Sequence, residues 1–232
     1  MHGIFITGTS TGVGKTAVAA GLAWVLRKQG IDVGVMKPFA TGNEVFSKNY
    51  RSQDTAILAK ASGVNDPDSS LNPFFYSIAA SPLVASELKY GAPVDTKAAI
   101  RHLKKLGRKH KFLIVEGIGG IMVPLTENES VAGFIKQVDL PVVIVATARL
   151  GTLNHTLLTV MACKKFGLKI AGIILNKMPK KPNIVEKKSS EVIERLTHFE
   201  VLAVIPLLRG ENYATVGKVL EQGLDLDKLL SL

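Results

Sequence analysis

Several features that define other classes of protein are missing from this sequence. The 232 residues include a single cysteine, Cys163, which excludes an internal disulfide framework and a metal site built from several cysteines. No apolar run approaches the roughly 20 residues that a membrane-spanning helix needs. The first residues, Met1 to Thr7, lack the basic leader and cleavage site of a signal peptide. We therefore expect a cytoplasmic protein without a membrane partner.

Acidic residues are scarce only locally. The formal net charge is +10, which can indicate nucleic acid, an acidic surface or an anionic small ligand as partner. Segment 101–111 holds six Lys or Arg and no acid, and segment 177–188 holds five with Glu186 as its one acid. The rest of the chain has 18 basic and 18 acidic residues. Because the excess is confined to two short segments, we interpret it as solvated surface and expect no nucleic-acid partner.

Apolar runs rich in valine and isoleucine alternate with longer segments of helical spacing. Several runs are apolar on consecutive residues, which is typical of parallel strands covered on both faces. Strands are predicted at 3–7, 32–36, 112–115, 142–146, 170–175 and 202–205, and helices at 15–29, 55–61, 82–90, 96–106, 131–138, 154–166 and 185–198. This alternation predicts an α/β fold, a doubly wound, mostly parallel sheet with helices on both faces.

Glycines and capping residues predict where the helices begin and end. Helix ends are predicted at Gly30, Gly63, Gly91, Gly107 and Gly167, and helix starts at Asp95 and Ser130. The stretch 38–81 is the least regular, which is more often functional than idle. With 47% hydrophobic residues, and without a linker or repeat, residues 1–232 are predicted to form one domain.

The strongest motif is GTSTGVGKT at residues 8–16, between a predicted strand and a predicted helix. Small residues let backbone N–H groups face phosphate oxygens, and the helix N-terminus adds positive potential. Lys15 would reach the β- and γ-phosphates, and the Thr16 hydroxyl would ligate Mg²⁺. Five residues separate Gly8 from Gly14 instead of the usual four. The context favours a P-loop NTPase type of fold over an ordinary glycine-rich turn.

Further candidates follow other strands, where ligands bind in an open α/β sheet. Lys37 lies where it can neutralise a transferred phosphoryl group, although a lysine at a strand end is usually a solvated charge. Glu116 follows the strand 112–115 and precedes GIGG, as a Walker-B carboxylate on Mg²⁺ would. Asp54 is a second candidate ligand, or simply a helix N-terminal carboxylate. The Asn176 amide could pair with an adenine edge.

Two reactive side chains receive structural interpretations. His155 lacks the context of a nucleophile, so it is interpreted as a residue at a helix start. Cys163 lies in an apolar helix and is interpreted as part of the core.

Together these segments resemble the dethiobiotin synthetase family, ATP-dependent carboxylase-cyclases of biotin biosynthesis. The similarity runs in order along nearly the whole chain, and the longer phosphate loop is itself a trait of that family. The matching segments are GTSTGVGKT at 8–16, KPFATG at 37–42, SQDT at 52–55, NPFFY at 72–76, SP at 81–82, VEGIGGIMVPL at 115–125, RLGTLNH at 149–155, GIILNK at 172–177 and IPLL at 205–208.

The resemblance implies a role for each matching residue. Lys37 and Lys15 would be catalytic, and Mg²⁺ would bind Thr16, Asp54 and Glu116. The nucleotide would contact those three residues and Gly12, Val13, Gly14, Lys15, Ala17, Gly117, Ile118, Gly119, Asn176, Lys177, Pro206 and Leu207. The substrate would contact Lys37, Thr11, Thr41 and Ser81, and, across a homodimer interface, Leu150, Gly151 and Asn154 of the neighbouring subunit.

The reaction implied is carboxylation of 7,8-diaminononanoate by CO₂ or bicarbonate, followed by ring closure with ATP. A carbamate would attack the γ-phosphate, and the second amine would close the cyclic urea and expel phosphate. ATP and CTP are not distinguished by the sequence.

Two other families use similar loops. A ParA/MinD-like ATPase acting on DNA or membranes would suit the basic segments, but that family carries a lysine where this chain has Ser10. The cobyrinic acid amidotransferases add a glutaminase domain, for which 232 residues leave no room.

Overall fold

The computed structural model describes residues 1–89, 91, 93–208 and 212–231. The strands are β1 (Gly3–Gly8), β2 (Val33–Met36), β3 (Phe39–Thr41), β4 (Phe74–Tyr76), β5 (Phe112–Glu116), β6 (Pro124–Thr126), β7 (Glu129–Ser130), β8 (Val142–Thr147), β9 (Ile170–Met178) and β10 (Val201–Pro206). The helices are α1 (Lys15–Lys28), α2 (Gln53–Ser62), α3 (Asp68–Leu71), α4 (Pro82–Lys89), α5 (Thr96–Lys109), α6 (Val131–Val138), α7 (Thr152–Phe166), α8 (Ile184–Thr197), α9 (Tyr213–Gly223) and α10 (Leu226–Leu230).

Six strands form the central sheet in the order β10-β9-β8-β1-β5-β2, and every neighbouring pair is parallel. The chain starts in the middle of the sheet and reaches β5 and β2 on one side, then β8, β9 and β10 on the other. The carboxyl ends of all six strands therefore meet at one edge. The switch in direction lies at β1, which is where open α/β sheets bind ligands.

Helices cover the sheet in two layers, as the sequence predicts. Helix α1 packs against α2 and α9, and α5 to α8 contact one another in succession along the other face. The strands between them are buried: Ile4, Phe5 and Ile6 of β1 are each no more than 1% exposed. Burial on both faces explains why these strands are apolar on consecutive residues.

All six predicted strands are present, with bounds that shift by at most a few residues, and all seven predicted helices are present. Asp95 and Ser130 are N-caps whose side chains accept from Ala98 and Gly133, and Gly63 and Gly167 end α2 and α7 in left-handed conformation. The last predicted residue of α4, Tyr90, lies outside the described residues.

One expectation about a boundary was wrong. Gly107 does not end α5, which continues to Lys109; a side chain at Gly107 would press on Met1, so this glycine permits close packing inside the helix. Stretch 38–81 has more residues outside helices and strands than within them, as its irregular sequence predicts. It contains α2, α3 and the parallel pair β3–β4, and it returns the chain to the end of β2.

Candidate active site

The loop between β1 and α1 has the conformation that its glycines predict. Gly12 and Gly14 have φ of 75° and 94°, in the left-handed region where a Cβ is strained. A Cβ on Gly14 would also lie 2.1 Å from the Asn176 Nδ2 atom. The loop leads directly into α1, whose first-turn N–H groups and positive dipole end face the opening. The backbone is thus shaped to receive phosphate oxygens.

The end of β9 supports this loop from the side. Asn176 Nδ2 donates to the Val13 carbonyl at 2.9 Å, and Lys177 Nζ donates to the Gly12 carbonyl at 2.6 Å. Lys177 itself has a left-handed backbone, with φ of 61°, and its N–H donates to Asn176 Oδ1. The Asn176 amide therefore contacts the loop, and its predicted contact with adenine stays a prediction.

Four charged groups meet where β2 and β5 end and α1 and α2 begin. We call these residues, Lys15, Lys37, Asp54 and Glu116, the charge centre. Lys37 Nζ lies 2.6 Å from Asp54 Oδ2 and 2.7 Å from Glu116 Oε1. Thr16 Oγ1 also donates to Glu116 Oε1, at 2.7 Å. Lys15 Nζ donates to the Ser10 carbonyl at 3.1 Å. Glu116 is 1% exposed and Lys37 is 4% exposed, so this pair is screened from water.

Burial and pairing shift the pKa values within the charge centre. Burial, followed by repulsion from Lys37, lowers the pKa of Lys15 to about 8. Burial also opposes the charge of Lys37, but Glu116 and Asp54 outweigh it and raise the pKa of Lys37. Burial raises the pKa of Glu116, although Lys37 opposes the shift. Burial also opposes the charge of Asp54, but Lys37 outweighs this effect and holds the pKa of Asp54 below its ordinary value. These shifts favour the charged form of Lys37.

A cavity of about 870 Å³ opens beside the charge centre and brings most of the predicted site residues together. Of the predicted residues, it is lined by Thr11, Gly12, Gly14, Lys15, Thr16, Ala17, Lys37, Thr41, Asp54, Ser81, Glu116, Ile118, Gly119, Asn176, Lys177, Pro206 and Leu207. The lining residues that the sequence did not predict are Ala79, Ala80, Val123, Leu208, Asn212 and Val216. A volume of this size suits a nucleotide together with a small substrate.

The remaining predicted residues lie outside that lining. Val13 is buried under the loop and contributes its carbonyl to Asn176. Gly117 continues β5 and packs against Phe5, which a Cβ on Gly117 would approach to 2.8 Å. Leu150, Gly151 and Asn154 are exposed at the N-terminus of α7, and Leu150 is 96% exposed. Their contact with a neighbouring subunit stays a prediction.

The oxygen atoms of the charge centre fit a magnesium ion. Glu116 Oε2 is buried and has no hydrogen-bond partner among the described residues; the Thr16 hydroxyl and the Asp54 carboxylate complete a set of hard donors. No group of three or more His, Cys, Asp or Glu side chains converges in the described part of the chain. Two carboxylates and a hydroxyl match Mg²⁺, which takes its other ligands from phosphate and water.

Comparisons with known proteins agree with the fold and the phosphate loop described above. A family model described as "AAA domain" matches residues 2–212. The ATP-dependent dethiobiotin synthetase BioD of Nitrosopumilus maritimus is 40% identical over 231 residues, covering 99% of this chain and 100% of that protein. The chain belongs to the dethiobiotin synthetase family. The BioD proteins of Bacillus licheniformis and Bacillus subtilis strain 168 are 38% and 39% identical, covering all of this chain and 97% and 98% of their own lengths.

Solved structures extend the relationship in fold beyond the dethiobiotin synthetase family. A ParA family ATPase from Chlorobium tepidum superposes with a TM-score of 0.54 at 18% identity, covering 100% of this chain and 96% of its own. The cell division ATPase MinD of Pyrococcus furiosus gives 0.52 at 18% identity, with coverages of 96% and 99%. At this identity the ParA/MinD relationship is one of fold, and it confirms the sheet architecture predicted for a P-loop NTPase.

Two of the structural interpretations are also confirmed. Cys163 is fully buried in α7, and burial raises the pKa of its thiol to about 12. His155 lies on the exposed side of the first turns of α7. Within the described ranges, none of the helices has the length and apolar character needed to cross a bilayer. The cytoplasmic location stays a prediction.

Proposed function

We propose that this chain closes the ring of dethiobiotin from 7,8-diaminononanoate and CO₂, using ATP and Mg²⁺ in the 870 Å³ cavity and releasing ADP and phosphate. The observation that carries the proposal is the charge centre. Two lysines and two carboxylates converge there at the end of a phosphate-type loop, in a member of the dethiobiotin synthetase family.

Residues on either side of the phosphate loop would bind the nucleotide. Residues 12–17 present backbone N–H groups and the α1 terminus to the triphosphate, and Lys15 leaves the Ser10 carbonyl for the β- and γ-phosphates. Asn176, Lys177, Pro206 and Leu207 also line the cavity, and the base would lie against them. Thr16, Asp54 and Glu116 would hold Mg²⁺, which when bound neutralises charge on the phosphates.

The chemistry needs charge neutralisation and alignment more than a general base. One amine of the substrate adds to CO₂ and loses a proton, which forms a carbamate. A carbamate oxygen then attacks the γ-phosphorus while the bond to the leaving ADP breaks. The second amine attacks the carbonyl carbon of this mixed anhydride, the C–O bond breaks, and phosphate leaves with the cyclic urea closed. In each step negative charge develops or disperses beside the transferred phosphoryl group.

Lys37 is suited to that place because it stays charged. Its pKa is raised by Asp54 and Glu116, so it acts as a fixed cation rather than as a proton acceptor. Lys15 supplies a second cation, and Thr11, Thr41 and Ser81 line the neighbouring wall for the substrate. A cation that is fixed before reaction costs no reorganisation when charge develops on the phosphoryl group.

A homodimer is part of the proposal. Helix α7 presents Leu158 and Met161, which are 55% and 63% exposed, and Leu150, just before the helix, is 96% exposed. Covering such a face by a second copy would carry Leu150, Gly151 and Asn154 toward the neighbouring site and its substrate. Light scattering of the purified chain tests this, with Leu150→Asp expected to shift the mass toward the monomer. An unchanged mass for that variant, or a monomeric wild type, would contradict the dimer.

The decisive experiment measures phosphate release with each small molecule omitted in turn. We expect release to require ATP, diaminononanoate and bicarbonate together, and dethiobiotin to appear in equal amount. Release that is unaffected by omitting the diamine would overturn the proposed function. Replacing ATP by CTP in the same assay determines the nucleotide preference.

A further inference from the structure

The backbone of Lys37 is held from outside the central sheet. Strand β2 forms one edge of that sheet in the described structure, and its last pair with β5 joins Met36 to Val115. Lys37 follows that pair, and Pro38 has no N–H to continue a ladder. The polar groups of this peptide therefore need partners from another segment.

Those partners come from the segment between α3 and β4. Lys37 N–H donates to the Leu71 carbonyl at 2.8 Å, and Asn72 Nδ2 donates to the Lys37 carbonyl at 2.7 Å. Phe74 N–H then donates to the Pro38 carbonyl at 3.2 Å. The main chain on both sides of the Lys37 side chain is thus fixed by three consecutive contacts.

Burying the polar side chain of Asn72 costs free energy that a purely structural role would not require. It is fully buried, its Nδ2 also lies 3.3 Å from the Phe74 carbonyl, and its Oδ1 has no hydrogen-bond partner among the described residues. An apolar side chain of the same size would avoid burying an unpaired oxygen. What such a side chain lacks is the donor that reaches Lys37.

Asn72 is in turn fixed by the segment that carries Asp54. Arg51 Nη2 donates to the Asn72 carbonyl, and Arg51 Nε lies 2.6 Å from Asp68 Oδ2. Asp54, three residues after Arg51, accepts the Lys37 ammonium at 2.6 Å. The two ends of Lys37 are therefore held by one connected set of polar contacts.

We propose that Asn72 is a positioning residue for Lys37: its amide holds the Lys37 carbonyl, and thereby the ammonium, where it meets the phosphoryl group. Lys37's part in the reaction rests on the proposed function, whereas its restraint by Asn72 does not. The mechanism needs such a restraint because an error of about 1 Å in the placement of a reacting group can cost on the order of 100-fold in rate.

Two substitutions of similar size test the proposal. Asn72→Leu removes both the donor and the unpaired oxygen, but it leaves the buried Lys37 carbonyl without its partner, so we expect some loss of stability. Asn72→Asp puts an acceptor against the Lys37 carbonyl. For both we expect kcat to fall by about 10- to 100-fold, while the KM for ATP stays within about threefold because the phosphate loop is unchanged. Ile193→Ala, in the core of α8, is the control for lost stability alone; its kcat should not change.

A second readout does not depend on activity. Acetylation of lysines under native conditions, followed by peptide mass spectrometry, reports how freely Lys37 moves, with Lys15 as internal reference. We expect labelling of Lys37 to rise severalfold in both Asn72 variants and not in Ile193→Ala. A wild-type kcat in Asn72→Leu, a loss of kcat that Ile193→Ala reproduces at equal melting temperature, or unchanged Lys37 labelling would each overturn the proposal. If the wild type forms no dethiobiotin, the proposed function fails, and labelling still decides whether Asn72 holds Lys37.

Discussion

Replacing Lys37 by methionine separates the two tasks of this residue, because methionine keeps an unbranched apolar stem of similar length and removes the charged ammonium group. In the folded protein the Lys37 ammonium lies between Asp54 Oδ2 and Glu116 Oε1, at 2.6 and 2.7 Å. Glu116 is 1% exposed and keeps one contact, the Thr16 hydroxyl, when Lys37 is lost. The substitution therefore leaves a buried carboxylate without its counter-ion.

The size of both effects follows from that geometry. Breaking a buried ion pair from one side costs about 3–5 kcal/mol, and a chain of this length loses about 2–4 °C in melting temperature per kcal/mol. Because Thr16 still donates to Glu116, we expect the lower end of this cost, about 3 kcal/mol, and therefore a fall of about 6–12 °C without nucleotide. Loss of a fixed cation at the phosphoryl group should reduce kcat by about 10²–10³. Affinity for ATP should change far less, since the loop and Lys15 remain.

Thermal melts, calorimetric titration with a non-hydrolysable ATP analogue and phosphate release measure the three quantities on one preparation. The double variant Lys37→Met with Glu116→Gln is the matched control, because the amide removes the unpaired charge. Its melting temperature should recover while its kcat stays low. If ATP affinity falls by the same factor as kcat, Lys37 is a binding residue and the reasoning fails. If Lys37→Met melts at the wild-type temperature, the ion pair contributes nothing to stability.

Other predictions concern separate parts of the molecule. Gly14→Ala should abolish nucleotide binding in a calorimetric titration, since its Cβ would lie 2.1 Å from Asn176 Nδ2 at a φ of 94°; binding at wild-type strength would refute the loop geometry. Lys177→Ala should weaken ATP binding about 5- to 10-fold by releasing the Gly12 carbonyl, whereas the exposed Lys180→Ala should not. Burial opposes the charge of Asp66, but Lys109 and His110 hold the pKa of Asp66 below its ordinary value of 3.8. Its contribution to stability is therefore complete above that value and is lost as pH falls below it. Urea unfolding between pH 3 and 6 should show a weaker pH dependence in Asp66→Asn, and equal slopes would refute the assignment.

Local pattern was sufficient for the central sheet, because burial on both faces leaves short apolar runs rich in valine and isoleucine. The phosphate loop and the strand-end residues Lys37 and Glu116 followed from the same logic, since parallel strands bring their carboxyl ends to one edge. Asp54 was ambiguous for a physical reason: it is a first-turn residue of α2 and a partner of Lys37 at once. Sequence offers both roles, and the choice depends on where α2 packs.

Helix α9 shows where pattern fails. Gly217 interrupts its apolar spacing, and glycine inside a helix normally costs about 1 kcal/mol. In the folded chain a Cβ at this position would lie 2.5 Å from Trp24 of α1, so Gly217 lets the two helices approach closely. Because this partner lies almost 200 residues away in the sequence, no local signal could reveal it. Because α9 was not predicted, two residues that it brings to the cavity, Asn212 and Val216, were not predicted either.

The charge of the protein is best understood from the site outward. Lys15 and Lys37 are balanced by Asp54 and Glu116, so the charge centre is neutral before any ligand arrives, and its lysines are already committed to nearby oxygens. A triphosphate entering this site must take Lys15 from the Ser10 carbonyl and compete with two carboxylates for Lys37. Those carboxylates would hold a divalent cation, and its charge would then take the place of the Lys37 ammonium beside them, which would leave Lys37 for the phosphoryl group. The surplus of positive charge in segments 101–111 and 177–188 lies mostly outside this exchange of partners in the charge centre, although Lys177 reaches the phosphate loop. The proposed magnesium requirement thus follows from the ion pairs of the free protein.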